Sequence, residues 1–197
     1  MYYELYEQFK DELVSGEEML WSGKPGLSIL SSRGTVFMLL FGIFWLGFSL
    51  FWEFGAIVAY LESGVIIFPI FGIPFVIIGL FLVFGLPVYM RHKKKNTVYA
   101  VTSKRLIIIT YKRRDKDVQT TFIKDIKGIN KTVKRNGVGT IVFGNNPALA
   151  YMGVNSGMIR YGGAYGPYYG EMCPVFYDIS DAEQVYKMVH DLWVKTH

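Results

Sequence analysis

Cysteine is nearly absent from this 197-residue chain. Cys173 stands alone, which excludes an intramolecular disulfide and fits a reducing compartment. Histidine is scarce as well. His92, His190 and His197 have no cysteine or second histidine at ligand spacing, so no metal site is expected. The chain also lacks a Ser-His-Asp set, a phosphate-cradling loop and a His-Glu-x-x-His helix. Gly137-Val138-Gly139 has no third glycine and follows a hairpin signal, so it is no dinucleotide fingerprint. Asp178 and Asp181 read as one helix cap and one solvated acid rather than an acid/base pair. No catalytic residue, cofactor or metal ligand is therefore assigned, and the chain is not read as an enzyme. The opening residues Met1-Tyr2-Tyr3-Glu4-Leu5 lack a basic region and an apolar core, and do not read as a secretory signal. No repeat of fixed period is present.

Charge is missing from two long stretches, residues 36–52 and 65–90. At about 1.5 Å rise per residue each is long enough, or nearly so, to cross a hydrocarbon core of about 30 Å. Neither has the polar face that a soluble helix of that length needs. They read as a membrane hairpin joined through residues 53–64. Gly42, Gly47, Gly72, Gly79 and Gly85 allow close helix approach, with Gly72 and Gly79 on roughly one face. Pro69, Pro74 and Pro87 remove backbone donors and can kink the second span. Glu53 is expected at the outer interface, so an ion path within one chain is not expected.

The basic residues form one block. Residues 91–135 hold fifteen Lys or Arg against three acids, whereas residues 1–34 hold three bases against six acids. The block opens with Arg91-His92-Lys93-Lys94-Lys95, directly after the second span, while the joining segment has Glu53, Glu62 and no base. Lys and Arg beside spans are retained in the cytoplasm, so both termini are expected inside the inner or plasma membrane. Trp45, Trp52, Tyr60 and Tyr89 fit interfacial belts. The placement of the block points to anionic lipid rather than nucleic acid as its counter-charge. The candidate lipid contacts are Arg91, Lys93, Lys94, Lys95, Lys104 and Arg105.

The remainder divides into a lead-in at 1–34, the hairpin at 35–90 and a soluble domain at 91–197. Residues 2–14 carry Leu5, Phe9 and Leu13 at helical spacing, and residues 17–24 read as extended before Pro25-Gly26. The lead-in is expected to pack against the soluble domain or the membrane surface. Beyond residue 96 the period becomes two, with strands at 97–102, 105–112, 118–126, 129–133 and 138–143. Arg113–Asp117 reads as a hairpin turn and Asn136-Gly137 is a strong hairpin signal. Strand resumes at 174–179. Ser180-Asp181-Ala182-Glu183 reads as a capping box for a helix with Val185, Met188, Val189, Leu192 and Trp193 on one face. Residues 144–173 break the pattern. Their Tyr151, Tyr161, Tyr165, Tyr168 and Tyr169 suggest a contact surface for a partner or a second copy. The sequon Asn130-Lys131-Thr132 falls on the cytosolic side and should be silent.

A strand meander followed by an amphipathic helix is the order of a pleckstrin-homology-like barrel. Residues 99–107 (Tyr-Ala-Val-Thr-Ser-Lys-Arg-Leu-Ile), the turn-strand Asn136-Gly137-Val138-Gly139-Thr140-Ile141 and the final strand and helix at 175–193 resemble the bacterial PH domain family. Ser15-Gly16-Glu17-Glu18-Met19-Leu20-Trp21-Ser22-Gly23-Lys24-Pro25 is similar to the lead-in of its membrane-anchored members. The resemblance implies a membrane α-helical hairpin plus an α+β soluble domain, namely a PH-like antiparallel β-barrel capped by a C-terminal helix. It implies roles in assembly, scaffolding or stress and names no reaction. Residues 144–173 depart from the family pattern, and no site is carried onto them. The expected function is a membrane-anchored adaptor working through self-association, a protein partner or anionic lipid. The alternative is a subunit of an oligomeric transporter or channel lined by the kinked second span.

Overall fold

The computed structural model describes residues 2–28, 33–144 and 174–196. The chain divides into two compact units, Ile29–Arg91 and the combination of Met1–Ser28 with His92–His197.

The first unit is a helical hairpin. α2 (Arg33–Ser63) runs without a break, and α3 (Ile67–Leu80), a π-helical turn (Phe81–Gly85) and α4 (Leu86–Lys95) form a second continuous rod. Both rods are long and apolar enough to cross a membrane. The joining segment is shorter than the charge pattern suggested. Residues 54–61 contain one glycine and no other breaker, so the helix continues until Ser63-Gly64. There Gly64 turns left-handed (φ +73°) and the Ser63 hydroxyl bonds back to the Ala59 carbonyl.

Small residues bring the rods together. Buried Gly42, Ser49 and Ala56 recur every seven residues on α2, and Gly72 and Gly79 do the same on α3. Seven residues bring a helix back to nearly the same face. A Cβ at Gly42 would lie 2.9 Å from the Leu82 Cβ, and one at Gly79 would lie 2.9 Å from the Leu46 Cα. The rods therefore touch at backbone distance. The Trp45 indole N–H donates to the Phe75 carbonyl at 3.1 Å. Pro87 has no N–H to give, and the ladder ahead of it slips into the π turn, with the Leu86 N–H reaching back to the Phe81 carbonyl.

The second unit contains two antiparallel sheets. Sheet A is ordered β1 (Met19–Gly23), β2 (Thr97–Thr102), β3 (Arg105–Tyr111), β4 (Lys116–Phe122). Sheet B is ordered β5 (Ile129–Val133), β6 (Gly139–Phe143), β7 (Val175–Ile179). Neither closes on itself among the described residues, so the layout is α+β with two open sheets. β1 precedes the helical hairpin in sequence yet pairs with β2, which follows it, through Trp21↔Val101 and Gly23↔Tyr99. The lead-in thus supplies a strand to sheet A.

β2 and β3 are apolar at almost every position because both faces of sheet A are covered. Tyr99, Val101, Leu106 and Ile108 point into a core shared with Ile141, Phe143, Phe176, Ile179 and the C-terminal helix α5 (Ala182–Thr196). Val98, Ala100, Ile107 and Ile109 point the other way, onto Leu5 and Phe9 of α1 (Tyr2–Phe9). Phe176 is fully buried and stacks on Tyr99 at 4.6 Å between centroids. Burying aromatics of this size contributes about 2 kcal/mol or more each.

Two local expectations shift. The third strand ends at Phe122, where a 3-10 turn (Ile123–Asp125) follows. Ile123 and Ile126, three apart, both enter the core while Phe122 is exposed, and a strand of period two cannot do that. Glu183 does not turn back to close a capping box. Both of its carboxylate oxygens accept from the Lys131 ammonium at 2.7 Å. The Asn136-Gly137 turn forms as expected, with Gly137 at φ +82° and the Lys134 N–H bonded to the Val138 carbonyl.

Candidate functional site

The basic residues of the second unit sort by position and by partner. The β2–β3 register sets the two ends of sheet A. Thr97 faces Thr110, and the Tyr111 N–H donates to the Asn96 carbonyl at 2.8 Å. The β3–β4 turn, Lys112 to Asp115, therefore lies at the end where the chain leaves α4, closed by the Lys112 N–H on the Asp115 carbonyl. The β2–β3 turn carrying Ser103 and Lys104 lies at the other end, about 20 Å away over six strand residues.

At that far end Arg105 is committed to an internal pair. Its guanidinium reaches both oxygens of Glu17 at 2.9 Å and also donates to the Glu12 carbonyl at 2.6 Å. Thr102 donates to the same carboxylate at 2.6 Å and the Val14 N–H at 3.0 Å. The Glu17 side chain is 1% exposed. Burial alone would raise its pKa, but the hydrogen bonds from Arg105, Thr102 and Val14 outweigh that and lower it to about 2. The same pair raises the pKa of Arg105 against its own burial. This cluster holds the lead-in onto the β2–β3 turn.

Lys94 is likewise committed. Its side chain is 4% exposed and its ammonium donates to Asp178 Oδ2 at 2.6 Å and to the Ser28 carbonyl at 2.8 Å. Asp178 is the one non-glycine residue with positive φ (+48°) among the described residues. That turn lets its carboxylate meet Lys94 while its carbonyl accepts from the Gly26 N–H at 2.8 Å. Asp178 and Asp181 do not act as a pair: Asp181 accepts through its carbonyl from the Val185 N–H at the start of α5.

Of the six residues proposed for lipid contact, Arg91, Lys95 and Lys104 are exposed and Lys93 is half-buried. Lys94 and Arg105 face inward, and Lys104 stands at the end of sheet A away from Asn96. The near end instead gains Arg113 and Arg114, exposed on the β3–β4 turn. Their neighbours Lys112 and Lys116 are paired to Asp117 and Glu12. The sequence displayed this Arg pair openly, but only the register assigns it to the end beside α4. Tyr151, Tyr161, Tyr165, Tyr168 and Tyr169 lie outside the described residues. The ends of their segment meet in sheet B, where Val142 faces Val175 and the Phe143 N–H donates to the Pro174 carbonyl.

Among the described residues no three His, Cys, Asp or Glu side chains cluster as metal ligands. Comparison with family models, with curated proteins and with solved structures finds no match for the chain.

Proposed function

We propose that the chain is a membrane-anchored adaptor or assembly module of the bacterial PH type, with no catalytic step of its own. Its helical hairpin crosses the inner membrane, and its β unit stands at the cytoplasmic face. There it offers a surface to a second copy, a protein partner and anionic lipid. The observation that carries this reading is the pairing of β1 with β2. These strands flank the hairpin in sequence, and hydrogen-bonded neighbours stand on the same side of a membrane. An insertion between two paired strands must enter and return, as two spans do. The basic residues after the second span support the cytoplasm as that side. The PH-like reading is supported by the antiparallel meander of β1 to β4, by β5 to β7, and by the closing helix α5.

Anionic lipid is met on this reading by Arg91, Lys93 and Lys95 together with Arg113 and Arg114. Each such charge near an anionic surface contributes about 1 kcal/mol. Self-association or partner contact is assigned to residues 145–173. The test is a deletion joining Gly144 to Pro174 through a short Gly-Ser turn, followed by native mass in lipid nanodiscs. Because Val142 already faces Val175, sheet B is expected to survive. Loss of the oligomer or of a co-purifying partner, with normal insertion, supports the assignment. Unchanged assembly removes it. Passage of solute by a closed multimer in liposomes would favour a transporter subunit instead.

A further inference from the structure

Sheet B ends in an open edge. β5 pairs with β6 on one side and, among the described residues, has no strand on the other. The β5–β6 turn fixes which backbone groups face that edge. The Lys134 N–H donates to the Val138 carbonyl, so alternation along an antiparallel pair makes Thr132 with Thr140, and Asn130 with Val142, the hydrogen-bonded partners. Ile129, Lys131 and Val133 then turn their N–H and C=O groups away from β6. The Phe143 N–H, opposite Ile129, goes to the Pro174 carbonyl instead, as this alternation requires. Every residue from Asn130 to Gly137 is exposed, so solvent reaches this edge.

Helix α5 runs beside the same strand. The Lys131 ammonium sits over the Tyr186 ring at 4.1 Å, and the Trp193 indole N–H donates to the Ile126 carbonyl, just ahead of β5, at 2.8 Å. Between them His190 stacks on Tyr186 at 5.8 Å. Tyr186, His190 and Trp193 form a half-buried row, because spacings of four and three return to one helix face. A strand added to β5 would send every second side chain toward the face that α5 covers. The charge around the edge is one-sided. Residues 124–135 hold five Lys or Arg against Asp125 alone. α5 contributes two bases and two acids, and one of those acids, Glu183, is already held by Lys131. A second copy is disfavoured here, since a twofold β5–β5 pair sets basic side chains against basic side chains. An acidic strand meets no such repulsion.

We propose that the open edge of β5 docks an extended acidic peptide of a partner protein, which adds to three-stranded sheet B as a further strand. The backbone groups of Ile129, Lys131 and Val133 supply the pairing, and hence the demand for an extended segment. Lys127 and Arg135, at the two ends of β5, supply the preference for acidic side chains. The row on α5 receives the side chains on its face and favours apolar or aromatic ones there. The site belongs to sheet B and α5. It does not rest on residues 145–173 or on the hairpin, so its failure would leave the adaptor reading where it stands.

The test uses the full-length protein in nonionic detergent micelles and a fluorescein-labelled peptide of Glu-Val repeats, followed by anisotropy. The control probes are a peptide of Lys-Val repeats and the Glu-Val peptide with every backbone nitrogen methylated. The acidic peptide should bind saturably and about tenfold or more tighter than either control. It should slow amide exchange at Ile129, Lys131 and Val133 and leave Thr132, already bonded to β6, unchanged. Val133→Pro removes an outward N–H that sheet B does not use, and should weaken binding about tenfold. Lys127→Gln with Arg135→Gln, which leaves the backbone alone, should weaken it several-fold, as should added salt. Circular dichroism confirms that each variant keeps its fold. A methylated peptide that binds as well as the plain one, wild-type affinity in either variant, or no saturable binding would overturn the proposal. A dimer in native mass that Val133→Pro dissociates would assign the edge to a second copy and overturn it as well.

Discussion

Glu17 offers the sharpest perturbation of the β unit. Its carboxylate is buried and takes two bonds from Arg105, one from Thr102 and one from the Val14 N–H. Glu17→Ala would leave the Arg105 guanidinium, 14% exposed as a side chain, without its hydrogen-bonded carboxylate, and the Glu12 carboxylate that also acts on it is already paired with Lys116. Breaking one side of a buried pair costs about 3 to 5 kcal/mol. The pH linkage gives an independent magnitude. The carboxyl lies near 2 in the folded protein against 4.5 as its ordinary value, which corresponds to about 3 kcal/mol. Because the folded value is the lower one, this stability is fully present above pH 4.5 and is lost as pH falls toward 2. The assay is amide hydrogen exchange of β2 and β3 peptides in the full-length protein. Glu17→Ala should lower protection by about two to three decades. The double variant Glu17→Met with Arg105→Leu should recover most of it, since apolar side chains replace a buried pair at little cost. The double variant should also show a shallower loss of thermal stability between pH 5 and pH 2.5 than the wild type. A drop of less than tenfold in the single variant, or a double variant as damaged as the single one, would refute this reasoning.

Two further outcomes follow. Lys94→Met removes the closer of the two ammonium groups on buried Asp178, leaving Lys134 at 3.8 Å, and should destabilise the protein by about 3 kcal/mol in thermal unfolding, with Asp178→Asn in the same chain restoring part of the loss. In nanodiscs containing anionic lipid, exchange of the β3–β4 turn should be slower than in zwitterionic ones. Arg113→Gln with Arg114→Gln, or high salt, should abolish that difference, whereas Lys104→Gln should leave it intact.

Much of the architecture was legible because its signals are local. Two uncharged runs, the alternation in β2 and β3, and Asn136-Gly137 each speak within a few residues. What was not legible depends on partners far along the chain. Glu17 and Arg105 lie 88 residues apart, and Lys94 and Asp178 lie 84 apart. A lysine that ends an apolar rod looks like a surface charge until the strand that receives it is known. Lys94 and Arg105 were therefore grouped with the lipid contacts, while Arg113 and Arg114 fell outside the group. The joining segment was drawn too long because two acids suggested solvent, whereas helix propensity with no breaker carries α2 on to Ser63. The contact of Glu53 with Gly72 was hidden for the same reason, since the two residues lie on different helices.

The central claim is that the hairpin crosses a membrane twice and leaves the β unit in the cytoplasm. It is tested by cysteine accessibility in intact cells. With Cys173→Ser as the background, Ser63→Cys and Thr196→Cys are treated separately with a membrane-impermeant maleimide. Labelling at position 63 and none at 196 until the cells are lysed is the predicted result. Labelling at 196 in intact cells, with 63 protected, would contradict it.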